Sequence, residues 1–257
     1  MDISLISKKY GTTSEERMLI TRLCELTRRA CDRGTPQFLD FLSPAERSVC
    51  ERVSETTPLA DISFVGGYPD AERTLAMISP RGCAYEIKPP ITVLALEYKG
   101  THLSHRDILG SIMGLGIKRE KIGDILPEND PPVLFCDSVI AEYIINHLER
   151  AGKNRVTAKK TKIGVIAEQS KTQKSFTVKS LRLDSIMAEG FAVARSRAVE
   201  IIKQGSVYLN WIECSSPSKE VSQGDTITCR GLGRIVVSEI GGKSKKDRTY
   251  VTIDRYM

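Results

Sequence analysis

Ile91-Thr92-Val93-Leu94-Ala95-Leu96-Glu97-Tyr98 opens the stretch that decides the fold. It is an apolar, partly β-branched run with the length of a strand. Ser104 and Asp107 follow with capping-box-like spacing, ahead of Ile108, Leu109, Ile112 and Met113 on one helical face, and Gly114 and Gly116 end that helix. Strands are then expected at 121–126 and 133–136, separated by the turn-rich Pro127-Glu128-Asn129-Asp130-Pro131-Pro132. Asp137 is placed to cap a second helix bearing Val139, Ile140, Tyr143, Ile144 and Leu148, with Gly152 at its end and a last strand at 155–159. The resulting order, βαββαβ, is that of the ferredoxin-like fold, and the chain is expected to be a multidomain α+β protein built around it.

That fold is shared by RNA-recognition modules, which stack bases on aromatic side chains of the two middle strands. Only Tyr98 and Phe135 lie near such positions, and the Lys/Arg-Gly-Phe/Tyr signature is absent. Base stacking on this sheet is therefore not expected. The loop carrying Lys118, Arg119 and Lys121 is the better candidate for phosphate contact. Upstream, residues 13–33 have helical periodicity and stop at Gly34, and Ser43-Pro44-Ala45-Glu46 has the signature of a helix start running to about Ser54. A short strand at 62–65 and a turn at Gly66-Gly67-Tyr68-Pro69-Asp70 complete what is expected to be a mostly helical domain over 1–78. The central domain is expected over 79–168.

Downstream, residues 157–180 are polar, with a candidate strand at 162–167, and 169–180 is expected to be a linker. A final domain over 181–257 begins with Leu183, Ile186 and Met187 on one helical face, where Asp184 is a candidate cap. A second helix over 195–204 ends at Gly205, a strand at 206–211 follows, and Gly224-Asp225 signals a hairpin. Two short helices on a small sheet would bring Arg182, Arg195, Arg197 and Lys203 near Arg230 and Arg234. Arg195 and Lys203 lie roughly 80° apart around a helix. A flexible segment with Lys243, Lys245 and Lys246 would add further phosphate contacts.

The charge distribution agrees. Residues 157–257 carry 18 Lys+Arg against 10 Asp+Glu, leaving 20 against 22 in residues 1–156, so the positive excess of +6 belongs to the C-terminal part. A basic module on a near-neutral one points to a polyanionic partner. The seven cysteines have no C-x-x-C spacing and, with only three histidines, give no metal site. No long apolar run indicates a membrane span or an export signal, so a cytoplasmic protein with reduced thiols is expected.

The spaced set Arg182-Leu183-Asp184, Arg195, Ile201-Ile202-Lys203-x-Gly205, Val207-x-Leu209-Asn210 and Gly224-Asp225-x-Ile227 resembles the S4 domain, an RNA-binding module. The continuation Arg230-Gly231-x-Gly233-Arg234, Trp211 where glycine is commoner, residues 116–124 and Gly66-Gly67-Tyr68-Pro69-Asp70-Ala71-Glu72-Arg73 together resemble the bacterial YlmH-like family over nearly the whole chain. The resemblance implies a non-catalytic protein without cofactors that binds structured RNA. It implies rRNA of the large ribosomal subunit, with tRNA as a further candidate, in rescue or quality control of stalled translation, and a link to cell division. DNA and membrane partners are not expected. The expected RNA-binding residues are Arg182, Arg195, Arg197, Lys203, Asn210, Arg230, Arg234, Lys243, Lys245 and Lys246, together with Lys118, Arg119 and Lys121. One departure is Ala194, where S4 domains often carry a helix-capping Ser; Ser196 is a substitute that would move the helix start by two residues. Two alternatives are an RNA-modifying enzyme with an appended S4 domain, for which Asp124 is the least poor catalytic candidate, and a protein–protein adaptor.

Overall fold

Capping boxes set three helix starts in the first of the chain's two compact units, residues 1–167. The computed structural model describes residues 3–55, 60–82, 88–162 and 171–256. Helix α1 (Ile3–Tyr10) leads to α2 (Ser14–Arg33), capped by Thr13 with Glu16 and closed by Gly34 at φ 62°. Strand β1 (Gln37–Leu42), α3 (Pro44–Ser54), β2 (Ala60–Val65) and β3 (Thr74–Pro80) follow. Ser43 and Glu46 cap α3 reciprocally, with Pro44 in its first turn, as the sequence indicates.

Helices are the larger part of this segment, but it also carries a sheet that the expectation of a mostly helical domain leaves out. β1, β3 and β2 pair in that order as an antiparallel sheet, and Ile20, Leu23 and Cys24 of α2 with Val49, Cys50 and Val53 of α3 bury its Leu39, Leu42, Ala76 and Ile78. β1 and β3 are short apolar runs whose strand character comes from pairing with each other, which periodicity does not display.

The ferredoxin-like order follows: β4 (Ile91–Lys99), α4 (His105–Gly114), β5 (Ile122–Leu126), β6 (Val133–Asp137), α5 (Ser138–His147), β7 (Arg150–Ala151) and β8 (Asn154–Thr161). The strands pair as β5-β6-β4-β8-β7, all antiparallel, with β7 an addition to the expected set. Both helices pack on one face, where Leu94, Leu96, Ile108, Ile112, Leu134 and Ile144 are buried.

The β5–β6 half of the opposite face is covered from within the same unit. Tyr68 lies on Phe135 with ring centroids 4.9 Å apart, and Phe135 is fully buried. Gly67, at φ 98°, allows this approach: a Cβ there would stand 2.9 Å from Phe135 Cδ1. A bulge in β5 sets the other side of the contact, because Ile122 pairs with Cys136 while Ile125 pairs with Leu134, leaving two residues against one. The displaced Asp124 is buried and accepts from the Tyr68 hydroxyl (2.7 Å) and the backbone N–H groups of Glu72 (2.7 Å) and Arg73 (3.0 Å). Arg73 in turn donates to the carbonyls of Ile122 (2.9 Å) and Phe41 (2.8 Å). Hydrogen bonds to a charged group are worth about 1.5–3 kcal/mol each, so residues 66–73 and 116–124 form one structural latch.

The second unit, residues 168–257, contains β9 (Lys171–Val178), α6 (Leu183–Gly190), α7 (Arg195–Lys203), β10 (Val207–Leu209), β11 (Ile212–Glu213), β12 (Thr226–Cys229), β13 (Gly233–Lys243) and β14 (Thr249–Tyr256). The sheet runs β11-β10-β12-β13-β14-β9. α6 and α7 bury Ile186, Met187, Ala198 and Ile202 against Val207, Ile227, Ile235 and Ile253, each large side chain contributing about 1.5–3 kcal/mol. Residues 171–178, expected to be linker, pair with β14 along their whole length from Lys171–Tyr256 to Val178–Thr249. An edge strand needs few apolar residues, and here Phe176 and Val178 suffice to anchor one end. Most of the candidate strand at 162–167 lies outside the described residues.

Candidate nucleic-acid interface

Helix α6 begins after Arg182, and no side chain caps it. Asp184, expected to cap, instead sits buried in the first turn with its carboxylate taken by two guanidinium groups. Arg182 donates through Nε and Nη2 at 3.1 Å each, and Arg195 through Nε (3.3 Å) and Nη2 (3.1 and 3.2 Å). Side-chain exposure is 3% for Asp184 but 39% for Arg182 and 57% for Arg195, so the carboxylate is inside while both guanidiniums keep an outer edge in water. Burial opposes ionisation of Asp184, but the hydrogen bonds from Arg182 and Arg195 and their charges outweigh it and hold its carboxyl below the ordinary aspartate range. The arrangement fixes two forked donors in place ahead of any ligand.

α7 starts at Arg195 after an uncapped Ala194, so Ser196 does not displace the helix start. Lys203 is exposed at its far end. Arg197 takes the other flank: it pairs with Glu200 at 3.0 Å and lines a cleft of about 270 Å³ with Gln204, Ser206, Arg230 and Gly231. The expected single basic surface is thus two neighbouring groups, one around Asp184 and one around this cleft.

Arg234 does not join either. Ile235 is buried in the core, so strand alternation sends Arg234 to the open face of the sheet. Register there aligns Tyr208, Thr228, Arg234, Tyr256 and Lys171 in one row across five strands. Arg234 lies over the rings of Tyr256 (4.8 Å) and Trp211 (5.6 Å), and Arg230 over Tyr208 (5.2 Å) with a hydrogen bond to its hydroxyl. Trp211 is unusual: with Asn210 it forms the two-residue turn between β10 and β11, at φ 68° and 47°, a position that favours glycine. An aromatic residue is held there against its backbone preference. The aromatic members Tyr208, Trp211 and Tyr256 are absent from the expected site; the substitution of Trp for the commoner Gly at 211 is the one sequence signal that points to them.

Several expected contacts are committed to the fold. Asn210 spends its amide on Asp225 Oδ1 (2.7 Å) and the Thr226 N–H (2.9 Å), tying the turn to β12. In the first unit Arg119 is half-buried and donates to the carbonyls of Ile122 (2.7 Å) and Gly123 (3.2 Å), and burial followed by the nearby Arg73 charge lowers its pKa to about 10. Lys121 bridges Asp40 (2.6 Å) and Asp137 (2.8 Å). Lys118 alone of that loop's three cations is exposed. The segment 241–248 is the end of the β13–β14 hairpin rather than a flexible tail: Lys243 pairs with Asp247 at 2.7 Å, and Lys245 and Lys246 stand exposed at its tip.

Among the described residues no group of three or more His, Cys, Asp or Glu side chains converges to hold a metal, and no helix is long and apolar enough to cross a membrane.

Family models match two parts of the chain: "Putative RNA-binding domain in YlmH" over residues 85–164 and the S4 domain over 181–227. The ribosome-associated protein quality control protein P2 of Bacillus subtilis is 32% identical over 248 residues, covering 94% of this chain and 95% of its own length. The chain belongs to the YlmH-like family. The first matched region of this YlmH-like chain contains the βαββαβ sheet, and the second contains α6, α7 and the Asp184 cluster. A solved chain named cell division protein ylmH from Streptococcus pneumoniae is similar at 20% identity and a TM-score of 0.48, over 59% of this chain and 93% of that one.

Proposed function

We propose that this protein is a non-catalytic RNA-binding factor of the ribosome, acting in quality control of stalled translation. It holds rRNA of the large subunit, and tRNA beside it, mainly through its S4 unit. The observation that carries the reading is the Arg182–Asp184–Arg195 constellation. A carboxylate with 3% of its side chain exposed presents two guanidiniums at fixed separation, each with its outer edge in solvent. Such pre-set forks match phosphate oxygens, which every RNA sequence presents, so the grip is largely independent of sequence and weakens with salt. Lys203, Arg197 and Arg230 flank them, and the Lys245–Lys246 hairpin tip adds charge. The ribosome enters through the relative from Bacillus subtilis, named for ribosome-associated protein quality control. The family resemblance adds the link to cell division. Asp124, the best catalytic candidate in the sequence, is a buried acceptor for three protein donors, which favours binding over catalysis.

The test is binding of the Arg182→Ala, Arg195→Ala double variant to purified large ribosomal subunits over a salt series. Loss of about two phosphate contacts lowers the slope of log affinity against log salt by about 1.5–2. Wild-type affinity with a wild-type slope would exclude the assigned surface.

A further inference from the structure

On the first unit's sheet, the half of the face opposite α4 and α5 that Tyr68 leaves uncovered carries a row of like charges. Register places Lys99 of β4 directly opposite Arg155 of β8, and Arg155 directly opposite Arg150 of β7. Directly paired residues of antiparallel strands share a face. That face is the one turned away from the helices, because the alternate residues Leu96, Val156, Ala158 and Ala151 are buried in the helix-side core. All three cations are exposed, and none forms an ion pair among the described residues; Arg150 reaches only the Lys153 carbonyl. The nearest acidic side chain on the face by register, Glu97, is already held by Lys159 at 2.6 Å. Lys153, in the β7–β8 turn, adds a fourth exposed cation at the same end.

Like charges set side by side across strands destabilise a sheet, and an anion laid along the row would offset that repulsion. Strand spacing makes it roughly 10 Å wide, the axial rise of about three nucleotides of one duplex strand. The residues on this half are Lys, Arg, Thr, Glu and small apolar side chains, while the aromatic Phe135 is sealed beneath Tyr68. The chemistry therefore fits phosphate and offers no ring for a base. All three cations lie within residues 85–164, the region matched as an RNA-binding domain.

We propose that Lys99, Arg150 and Arg155 form a second RNA contact, which clasps the phosphate backbone of structured RNA without reading its bases. It deepens the RNA-binding function proposed above and is separate from the S4 cluster. The full-length Lys99→Gln, Arg150→Gln, Arg155→Gln variant is titrated with ribosomal RNA and with an RNA hairpin of unrelated sequence, beside the Arg182→Ala, Arg195→Ala variant. The expected result is an affinity loss of about tenfold or more for both RNAs. The salt slope should become shallower by about two to three, with a melting temperature at or above wild type once the repulsion is gone. Unchanged affinity and slope would overturn the proposal, as would loss of polyglutamate or anionic-vesicle binding with RNA binding intact. A loss in this variant with none in the S4 variant would sink the S4 assignment and leave this surface standing. Should the triple variant fail to fold, acetylation of the wild-type protein decides: Lys99 protected by RNA supports the contact, and Lys99 fully labelled in the RNA complex rejects it.

Discussion

Replacing Asp184 by Asn keeps the shape of the side chain and removes the charge on which Arg182 and Arg195 converge. Each charge-assisted hydrogen bond to a buried carboxylate is worth about 1.5–3 kcal/mol, but both arginines reach water and rehydrate when released, which discounts the total. A net loss of about 2 kcal/mol for residues 168–257 follows, raising the unfolded population roughly thirtyfold. For a unit of this size, that lowers the melting temperature by about 8–16 °C. The assay is thermal unfolding of wild type and variant followed by circular dichroism from pH 7 to pH 3. The folded-state pKa of Asp184 lies below its unfolded value near 3.8, so its stabilisation is complete above that value and is lost as pH falls through the folded pKa. The wild type should therefore lose its advantage over the Asn variant as the pH falls below the unfolded value near 3.8. A difference under about 0.5 kcal/mol at pH 7, or one that stays constant down to pH 3, would refute the reasoning, since ordinary surface substitutions stay within that range.

Lys121→Gln leaves Asp40 and Asp137 without their shared cation and should cost about 1–2 kcal/mol in urea unfolding while RNA affinity stays at wild type. A fall in RNA affinity with the fold intact would restore Lys121 to the interface. Trp211→Gly relieves a left-handed backbone worth about 1–2 kcal/mol and forfeits a cation–π contact worth about 0.5–1 kcal/mol, so its melting temperature should stay within a few degrees of wild type. Its RNA affinity should fall about fivefold or more if Trp211 stacks on a base, and equal affinity by fluorescence titration would remove that residue from the site. Among the cysteines of the described residues, alkylation at pH 8 should modify the partly exposed Cys31 and Cys214 first. Burial and neighbouring carboxylates push the Cys50 and Cys136 thiols up to about 12, so peptide mass spectrometry should find both unmodified until the protein unfolds.

The elements legible in the sequence are those whose signals are local. The caps Ser43, Ser104 and Asp137 announce helices because the chemistry of a helix start lies within four residues. The apolar runs of β4, β5 and β6 and the alternation in β8 carry the ferredoxin-like order for the same reason. β1, β3 and β9 were hidden because their strand character comes from partners distant in sequence: β9 has two core side chains and eight paired positions along β14. Periodicity reports burial, and an edge strand is specified mostly by backbone pairing.

The site divides along the same line. Composition locates the cations, but whether a cation is available depends on what faces it, and that is a tertiary fact. Arg119 and Lys121 sit in a basic loop, yet the bulge at Gly123-Asp124 and the carboxylates of Asp40 and Asp137 draw both inward. Lys99, Arg150 and Arg155 are scattered over 57 residues of sequence and form no run, yet β-pairing sets them side by side. A charge run in sequence therefore overstates the first group and misses the second. The sounder criterion for a polyanion surface is cations that the register aligns and that no described carboxylate neutralises. By that measure the sheet of the first unit carries an uncompensated row, whereas the S4 cluster keeps one net positive charge because the buried Asp184 offsets one of two. Stability measured across the triple sheet variant and Asp184→Asn should thus move in opposite directions, upward where repulsion is relieved and downward where attraction is lost.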